Sequence, residues 1–137
     1  MKKIVVIDGQ GGKIGSLLTS RIKALNLNCE IFAVGTNSLA TAAMLKAGAD
    51  YGATGENPVI VNCRDADIIV GPIGIVVADS LLGEVTPGMA VAVGQSRAQK
   101  VYLPLNKCNN HIAGSRDLPF PELIEAAVKN VASFFLD

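Results

Sequence analysis

The chain has 137 residues, twelve basic and twelve acidic side chains, and a formal net charge of zero at pH 7. A chain of this length forms one domain with a sizeable core. The balanced charge gives no overall positive field that would gather nucleic acid or an anionic membrane surface. The three cysteines, Cys29, Cys63 and Cys108, lie far apart, so their spacing indicates neither a zinc site nor a redox couple. We expect a single domain over residues 1–137 with reduced thiols, no metal site and no nucleic-acid partner.

The apolar run near the N-terminus is short. It extends from Ile4 to Ile7, where Asp8 interrupts it, and this is far less than a signal-peptide core or the roughly 20 apolar residues of a membrane span. We therefore expect a cytoplasmic protein. Half of the residues are hydrophobic and only 4% are aromatic, a composition that favours an aliphatic sheet buried on both faces by helices.

The first third of the chain alternates strand and helix signals. The β-branched run from Ile4 to Ile7 predicts a central strand, and apolar residues recur at helical spacing from Ile14 to Leu25. A second strand is predicted from Glu30 to Val34. These three elements form a strand, a glycine turn, a helix and a second strand, which is the βαβ unit of a parallel sheet.

A second helix follows over residues 39–48, with Asn37 or Ser38 as its N-cap and Gly48 as its closing residue. Residues 49–55 predict a short third strand that leads into a turn. The next segment is ambiguous, because Asn57-Pro58 can start a brief helix while the β-branched residues 59–63 also fit a strand.

The last part of the chain predicts further elements. A buried strand over residues 67–70 precedes a helix over 75–82, and Thr86-Pro87 caps another helix that runs to about Ala98. A strand over 101–105, a short strand over 111–113 and a closing helix over 122–136 complete the series. Five or six mostly parallel strands result, so we predict a three-layer α/β fold, a Rossmann-like doubly wound sheet with its first strand in the middle. A flavodoxin-like strand order is the alternative.

The glycines after the first predicted strand form the main candidate site. Gly9, Gly11, Gly12 and Gly15 lie between that strand and the first predicted helix. In the fingerprint G-x-G-x-x-G, glycines allow a tight turn, a close approach of backbone amides to a pyrophosphate, and helix packing. Counted from Gly9 the strict pattern fails at Ile14, whereas the spacing G-x-x-G-x-x-G is met. The turn either holds a phosphate or serves only the fold.

That wider spacing resembles the glycine turn of extended and atypical short-chain dehydrogenase relatives. The resemblance implies that residues 35–38 meet an adenosine ribose, residues 50–54 meet adenine, and residues 71–74 lie near the nicotinamide-side ribose. NADP or NAD is then a possible cofactor, although residues 35–38 supply neither the acid that binds an NAD ribose nor an arginine for a 2′-phosphate. The Tyr-x-x-x-Lys pair of those enzymes is absent, so their hydride transfer does not carry over. The candidate binding residues are Gly9, Gln10, Gly11, Gly12, Lys13, Ile14, Gly35, Thr36, Asn37, Ser38, Thr54, Gly71, Pro72, Ile73 and Gly74.

Over its whole length the chain resembles a family of small bacterial proteins that is described only as a domain of unknown function. The stretches that carry this resemblance are DGQGG, AVGTN, KAGADYGATGEN, GPIGI and ADSLLGEVTP. The resemblance implies a compact α/β protein and brings no catalytic residue with it. Five further residues have open roles, either chemical or structural: Asp8, Glu56, Asp79, Cys108 and His111.

Two functions from different classes fit these observations. The first is binding of a nucleotide or another phosphorylated metabolite at the glycine turn, and whether catalysis accompanies it stays open. The alternative is a non-enzymatic oligomeric subunit or interaction module whose glycines serve only folding. A homo-oligomer is expected in either case, because mean hydropathy is high at +0.39 and the adjacent Phe134 and Phe135 point about 100° apart on a helix, so that one ring is free for a partner.

Overall fold

The computed structural model describes residues 1–105 and 109–136. Its strands are β1 (Lys2–Asp8), β2 (Cys29–Gly35), β3 (Tyr51–Thr54), β4 (Ile68–Pro72) and β5 (Gln99–Leu103). Its α-helices are α1 (Lys13–Ala24), α2 (Ser38–Lys46), α3 (Glu56–Cys63), α4 (Pro87–Gln95) and α5 (Phe120–Ser133). Cys108 lies outside the described residues. The predicted alternation of strands and helices is confirmed.

The sheet is parallel, and β1 lies at its centre. Within the described ranges the strand order is β3-β2-β1-β4-β5, and every neighbouring pair runs parallel. This is the Rossmann order, and it differs from the flavodoxin-like order that was the alternative. The chain leaves β1 toward β2 on one side and later returns to β4 on the other. A crevice at the carboxyl end of β1 follows from this reversal, and such crevices hold ligands in open α/β sheets.

The pleat of β1 divides the core into two layers. Ile4 and Val6 are buried with residues of α1, α2 and α5 on one face, whereas Val5 and Ile7 are buried with residues of α3 and α4 on the other. Side chains alternate across a strand, so a continuous β-branched run supplies both layers at once. The three-layer prediction is confirmed.

Two predicted elements are wrong. Residues 111–113 form no strand and are exposed. A run of three residues was too short to indicate a strand. In place of a helix over 75–82, a short 3₁₀ helix spans Ile73–Val76 and turns follow it. Asp79, Leu81 and Leu82 there have positive φ of 65°, 56° and 57°, which no α-helix permits.

The structure also gives helix boundaries that the sequence patterns left open or placed differently. The ambiguous residues 59–63 are helical, since α3 begins at Glu56 and places Pro58 in its first turn, where a missing N–H costs no helical bond. Asn37 is the N-cap of α2 and accepts a hydrogen bond from the N–H of Ala40. Helix α4 ends at Gln95 rather than near Ala98, and α5 runs from Phe120 to Ser133 rather than over 122–136.

Neither of the two C-terminal phenylalanines has a fully exposed ring. Phe134 and Phe135 are both half-buried and pack against the same core layer, because the chain turns after Ser133 and no longer follows helical spacing. The prediction that one of these two rings is free for a partner subunit is therefore wrong. Among the described helices, none is both long and apolar enough to cross a membrane.

The homo-oligomer itself stays a prediction. We expect light scattering at micromolar concentration to give a mass that is a multiple of 14.2 kDa, because several large apolar side chains remain exposed, with Leu39 at 74% and Leu82 at 97%. A mass equal to one chain and constant on dilution would contradict it.

Candidate functional site

A pocket of about 280 Å³ lies at the carboxyl end of β1. Residues 8–14 form one wall, and Leu105 and Phe120 form the other. Leu105 follows β5 and Phe120 is the first residue of α5, so three separate segments enclose the space. Six of the candidate binding residues line this pocket together: Gly9, Gln10, Gly11, Gly12, Lys13 and Ile14.

The turn between β1 and α1 is shaped by its third and fourth glycines. Gly12 donates its N–H to the carbonyl of Gly9 over 2.9 Å and adopts a left-handed φ of 75° as the N-cap of α1. A Cβ on Gly12 would lie 2.8 Å from the Cα of Ala40. A Cβ on Gly15 would overlap the sulfur of Met44. These two glycines therefore let α1 pack closely on α2.

Gly11 differs from its neighbours. A Cβ placed on it would meet no atom of the described residues within 4 Å, and Gly11 is exposed. Among residues 1–105 and 109–136, its N–H and that of Lys13 have no hydrogen-bond acceptor. Lys13 is the first residue of α1 and Gly11 lies in the turn two residues before it, so both N–H groups are close to the positive N-terminal end of α1. They are free to bind an anion from the pocket.

Lys13 adds a full charge to this end of the pocket. Its ammonium nitrogen lies 5.2 Å from the centre of the Phe120 ring, a distance at which a cation and an aromatic face attract each other. The contact holds the ammonium along the pocket wall. The Phe120 ring and the Lys13 ammonium therefore lie next to each other at the pocket.

Asp8 forms the floor of the pocket. Its carboxylate is 3% exposed and accepts two backbone hydrogen bonds, from Gly9 at 2.8 Å and from Gly15 at 2.7 Å. Burial raises the pKa of this carboxyl, the hydrogen bonds from Gly15 and Gly9 lower it, and the nearby charge of Glu84 raises it again, with a net increase. Asp8 therefore ties both ends of the turn together. Between Gly9 and Lys13, the N–H groups of Gly11 and Lys13 are the two that have no acceptor among the described residues.

Glu84 is a site residue that sequence reasoning missed. Its Oε1 accepts hydrogen bonds from the N–H of Gln10 at 2.8 Å, the hydroxyl of Thr36 at 2.7 Å and the amide of Asn37 at 2.8 Å. Burial raises the pKa of Glu84, but these three donors outweigh it and the pKa is lowered, so the group is a fixed negative charge. Glu84 is 74 residues from Gln10, and no local pattern connects the two.

Glu84 places a carboxylate beside residues 35–38, which themselves contain no acid, and its Oε1 is occupied by donors from Gln10, Thr36 and Asn37. It stands at the carboxyl end of β2, beside the segment expected to meet a ribose, although it comes from the loop between β4 and α4. A 2′-phosphate placed there would face a carboxylate, which is electrostatically unfavourable. The side of the crevice toward β2 therefore disfavours NADP.

The remaining candidate residues lie outside the pocket. Gly35 packs against Thr41, and the hydroxyl of Thr54 lies 2.7 Å from that of Thr41, so this group joins β2, α2 and β3. Ser38 is the first residue of α2. A Cβ on Gly71 would overlap the carbonyl of Ile7, and the carbonyl of Gly74 accepts the hydroxyl of Ser80. Pro72 ends β4, and Ile73 lines a different pocket.

The residues with open roles are likewise divided between the glycine-turn pocket and other parts of the fold. Glu56 accepts the hydroxyl of Thr86 over 2.5 Å and so links α3 to α4. Asp79 and His111 are exposed and line none of the pockets described here. Among the members of this set that lie in the described part of the chain, only Asp8 reaches the glycine turn. No group of three or more His, Cys, Asp and Glu side chains that could hold a metal ion occurs in the described ranges.

Comparison with known proteins gives a family but no activity. No curated protein matches this chain. Among solved structures, a dodecameric FMN-dependent Ubix-like decarboxylase from Escherichia coli O157:H7 is similar at a TM-score of 0.48 and 16% identity, over 100% of this chain and 96% of that one. The family model described as a domain of unknown function, DUF3842, matches residues 3–136. The chain belongs to this family.

Proposed function

We propose that this protein binds the phosphate group of a nucleotide or another phosphorylated metabolite in the pocket at the glycine turn. The observation that carries the proposal is the pair of N–H groups on Gly11 and Lys13, which have no acceptor among the described residues. Both residues line the pocket of about 280 Å³ and lie at or just before the start of α1. Backbone amides at a helix N-terminus bind anions through direct hydrogen bonds and the helix dipole.

The charges around the pocket fit one phosphate group better than several. The Lys13 ammonium and the end of α1 attract an anion, whereas Asp8 on the floor and Glu84 beside Gln10 repel additional negative charge. The alternative of a purely structural turn accounts for Gly12 and Gly15, which pack on α2. It gives no reason for the open space at Gly11.

The direct test is ligand-dependent thermal unfolding with inorganic phosphate, AMP, NAD and NADP as probes. A ligand present at 100 times its dissociation constant stabilises the folded state by about 2.7 kcal/mol, and this raises the melting temperature by several degrees. We expect AMP and inorganic phosphate to stabilise the protein. No shift with any phosphorylated probe would refute the proposal.

The substitution Gly11→Ala should weaken phosphate binding at least about tenfold, a loss of roughly 1.4 kcal/mol, without changing the melting temperature of the free protein. The added methyl meets no atom within 4 Å in the part of the chain that the structure describes, but it crowds the approach of the phosphate to the N–H groups of Gly11 and Lys13. Calorimetric titration of inorganic phosphate into both proteins measures the difference.

The matched control is Gly94→Ala in α4, where a Cβ would lie 3.6 Å from Val76 in ordinary contact. This variant should bind phosphate as tightly as the natural sequence. Equal affinity for phosphate in the natural sequence, Gly11→Ala and Gly94→Ala would mean that phosphate binds outside the glycine turn.

A further inference from the structure

The crevice at the carboxyl end of β1 is closed on its β2 side. A Cβ on Gly9 would overlap Thr36 Oγ1 and lie 2.8 Å from Glu84 Oε1 and 2.9 Å from Leu81 Cδ1. Leu81 is only 3% exposed, so it fills this space with apolar atoms. The polar groups of Thr36 and Asn37 already donate to Glu84. A ligand that extended from the turn over β2 would have to displace these contacts.

A second cavity opens on the opposite side, at the carboxyl ends of β4 and β5. Its volume is about 360 Å³, and its lining is Ile73, Tyr102, Pro104, Ile112 and Ser115. Four of these five side chains are mainly apolar, and Tyr102 contributes an aromatic ring. Such a surface favours a flat apolar group.

The two cavities adjoin along the chain. Pro104 lines the second cavity and Leu105, the next residue, lines the turn pocket. Strands β1 and β5 are separated only by β4, so their ends are about two strand spacings, or roughly 10 Å, apart. Tyr102 packs with the α3 and α4 layer, while Phe120 packs with the α1 and α5 layer. A ligand that reaches from one cavity to the other therefore crosses the carboxyl edge of the sheet.

We infer that the ligand is a phosphomonoester carrying one flat apolar ring system, with its phosphate at the glycine turn and its ring in the cavity at Tyr102. This inference rests on the proposed phosphate site and adds the class of ligand. A dinucleotide has a second nucleoside, and the closure by Leu81 and Glu84 leaves no place for it on the β2 side. The open direction leads instead toward β5, where burial of an apolar ring adds affinity.

The test compares 4-(1-naphthyl)butyl phosphate, whose linker lets the ring lie roughly 10 Å from the phosphate, with inorganic phosphate, the corresponding alcohol 4-(1-naphthyl)butanol and NAD by calorimetric titration. We expect the naphthylbutyl phosphate to bind at least about tenfold more tightly than inorganic phosphate and the alcohol, and NAD to bind no more tightly than inorganic phosphate. The variant Ile112→Ser should remove the advantage of the naphthyl ring and leave the affinity for inorganic phosphate unchanged. Ile112 is 40% exposed, so this change does not disturb the core.

Val61→Ser is the matched control, because Val61 is 43% exposed on α3 and lines neither cavity. It should behave like the natural sequence with every probe. Equal affinities for the naphthylbutyl phosphate and inorganic phosphate, or tighter binding of NAD than of the naphthylbutyl phosphate, would overturn the inference and leave the phosphate site standing. Failure of both inorganic phosphate and the naphthylbutyl phosphate to bind would overturn the proposed function as well.

Discussion

Replacing Gly12 with alanine is expected to lower the free energy of unfolding by about 3 kcal/mol, and the melting temperature by roughly 10 °C. Gly12 has a φ of 75°, a conformation that costs an L-residue with a Cβ about 1–2 kcal/mol. The new Cβ would also lie 2.8 Å from the Cα of Ala40 in α2, so one helix must shift. Urea-induced unfolding followed by circular dichroism measures the change.

Gly11→Ala in the same turn is the control for this loss of stability, since it adds the same methyl group at a position with no atom of residues 1–105 and 109–136 within 4 Å. Its unfolding free energy should equal that of the natural sequence within about 0.5 kcal/mol. A stable Gly12→Ala variant would mean that the contact between the turn and α2 is looser than the structure describes.

Asp8→Ala should cost about 3 kcal/mol of stability, because the buried N–H groups of Gly9 and Gly15 lose their acceptor. Asp8→Asn keeps one acceptor oxygen and should lose less. Its stability relative to the natural protein should also depend on pH. Unfolding in urea at several pH values separates the two effects.

The direction of that pH dependence follows from the raised pKa of Asp8. A carboxyl whose pKa is higher in the folded state contributes stability that is fully present below its unfolded pKa, near 3.9, and is lost as pH rises through the folded value. The Asn variant does not titrate, so it should gain stability relative to the natural protein as pH rises above the unfolded pKa of an aspartate, about 4. Asp50 and Asp65 have lowered pKa values and the opposite dependence, but both proteins contain them and their effect cancels. A stability difference that is constant with pH would contradict the raised pKa.

The central strand and the glycine turn could be predicted because their signals are local. The β-branched run of β1 supplies both core layers at once, and the glycine spacing at positions 9, 12 and 15 marks the point where a strand must pass directly into a packed helix. The N-cap at Asn37 and the closing Gly48 of α2 are equally local, since each acts on backbone groups within a few residues.

The conformation of the loop between β4 and α4 could not be predicted, because its signals are not local. Residues 75–82 are apolar at near-helical spacing, yet the chain turns back through the positive φ values of Asp79, Leu81 and Leu82. Burial of Leu81 at 3% exposure and the three hydrogen bonds to Glu84 form in this turned conformation. These contacts come from distant parts of the chain, and tertiary interactions of this kind override local propensity.

The sequence by itself determined the class of fold, the central position of β1 and the place of the glycine turn, because periodicity, β-branching and glycine spacing act between near neighbours. Only the tertiary structure decided what surrounds that turn. It brings Glu84 to Gln10 across 74 residues of sequence, closes the side toward β2 with Leu81 and Glu84, and places the cavity at Tyr102 and Pro104 next to Leu105 of the turn pocket. The physical reason is that a binding site at the edge of a parallel sheet is assembled from loops after several strands, and their contacts depend on the order in which the strands pair.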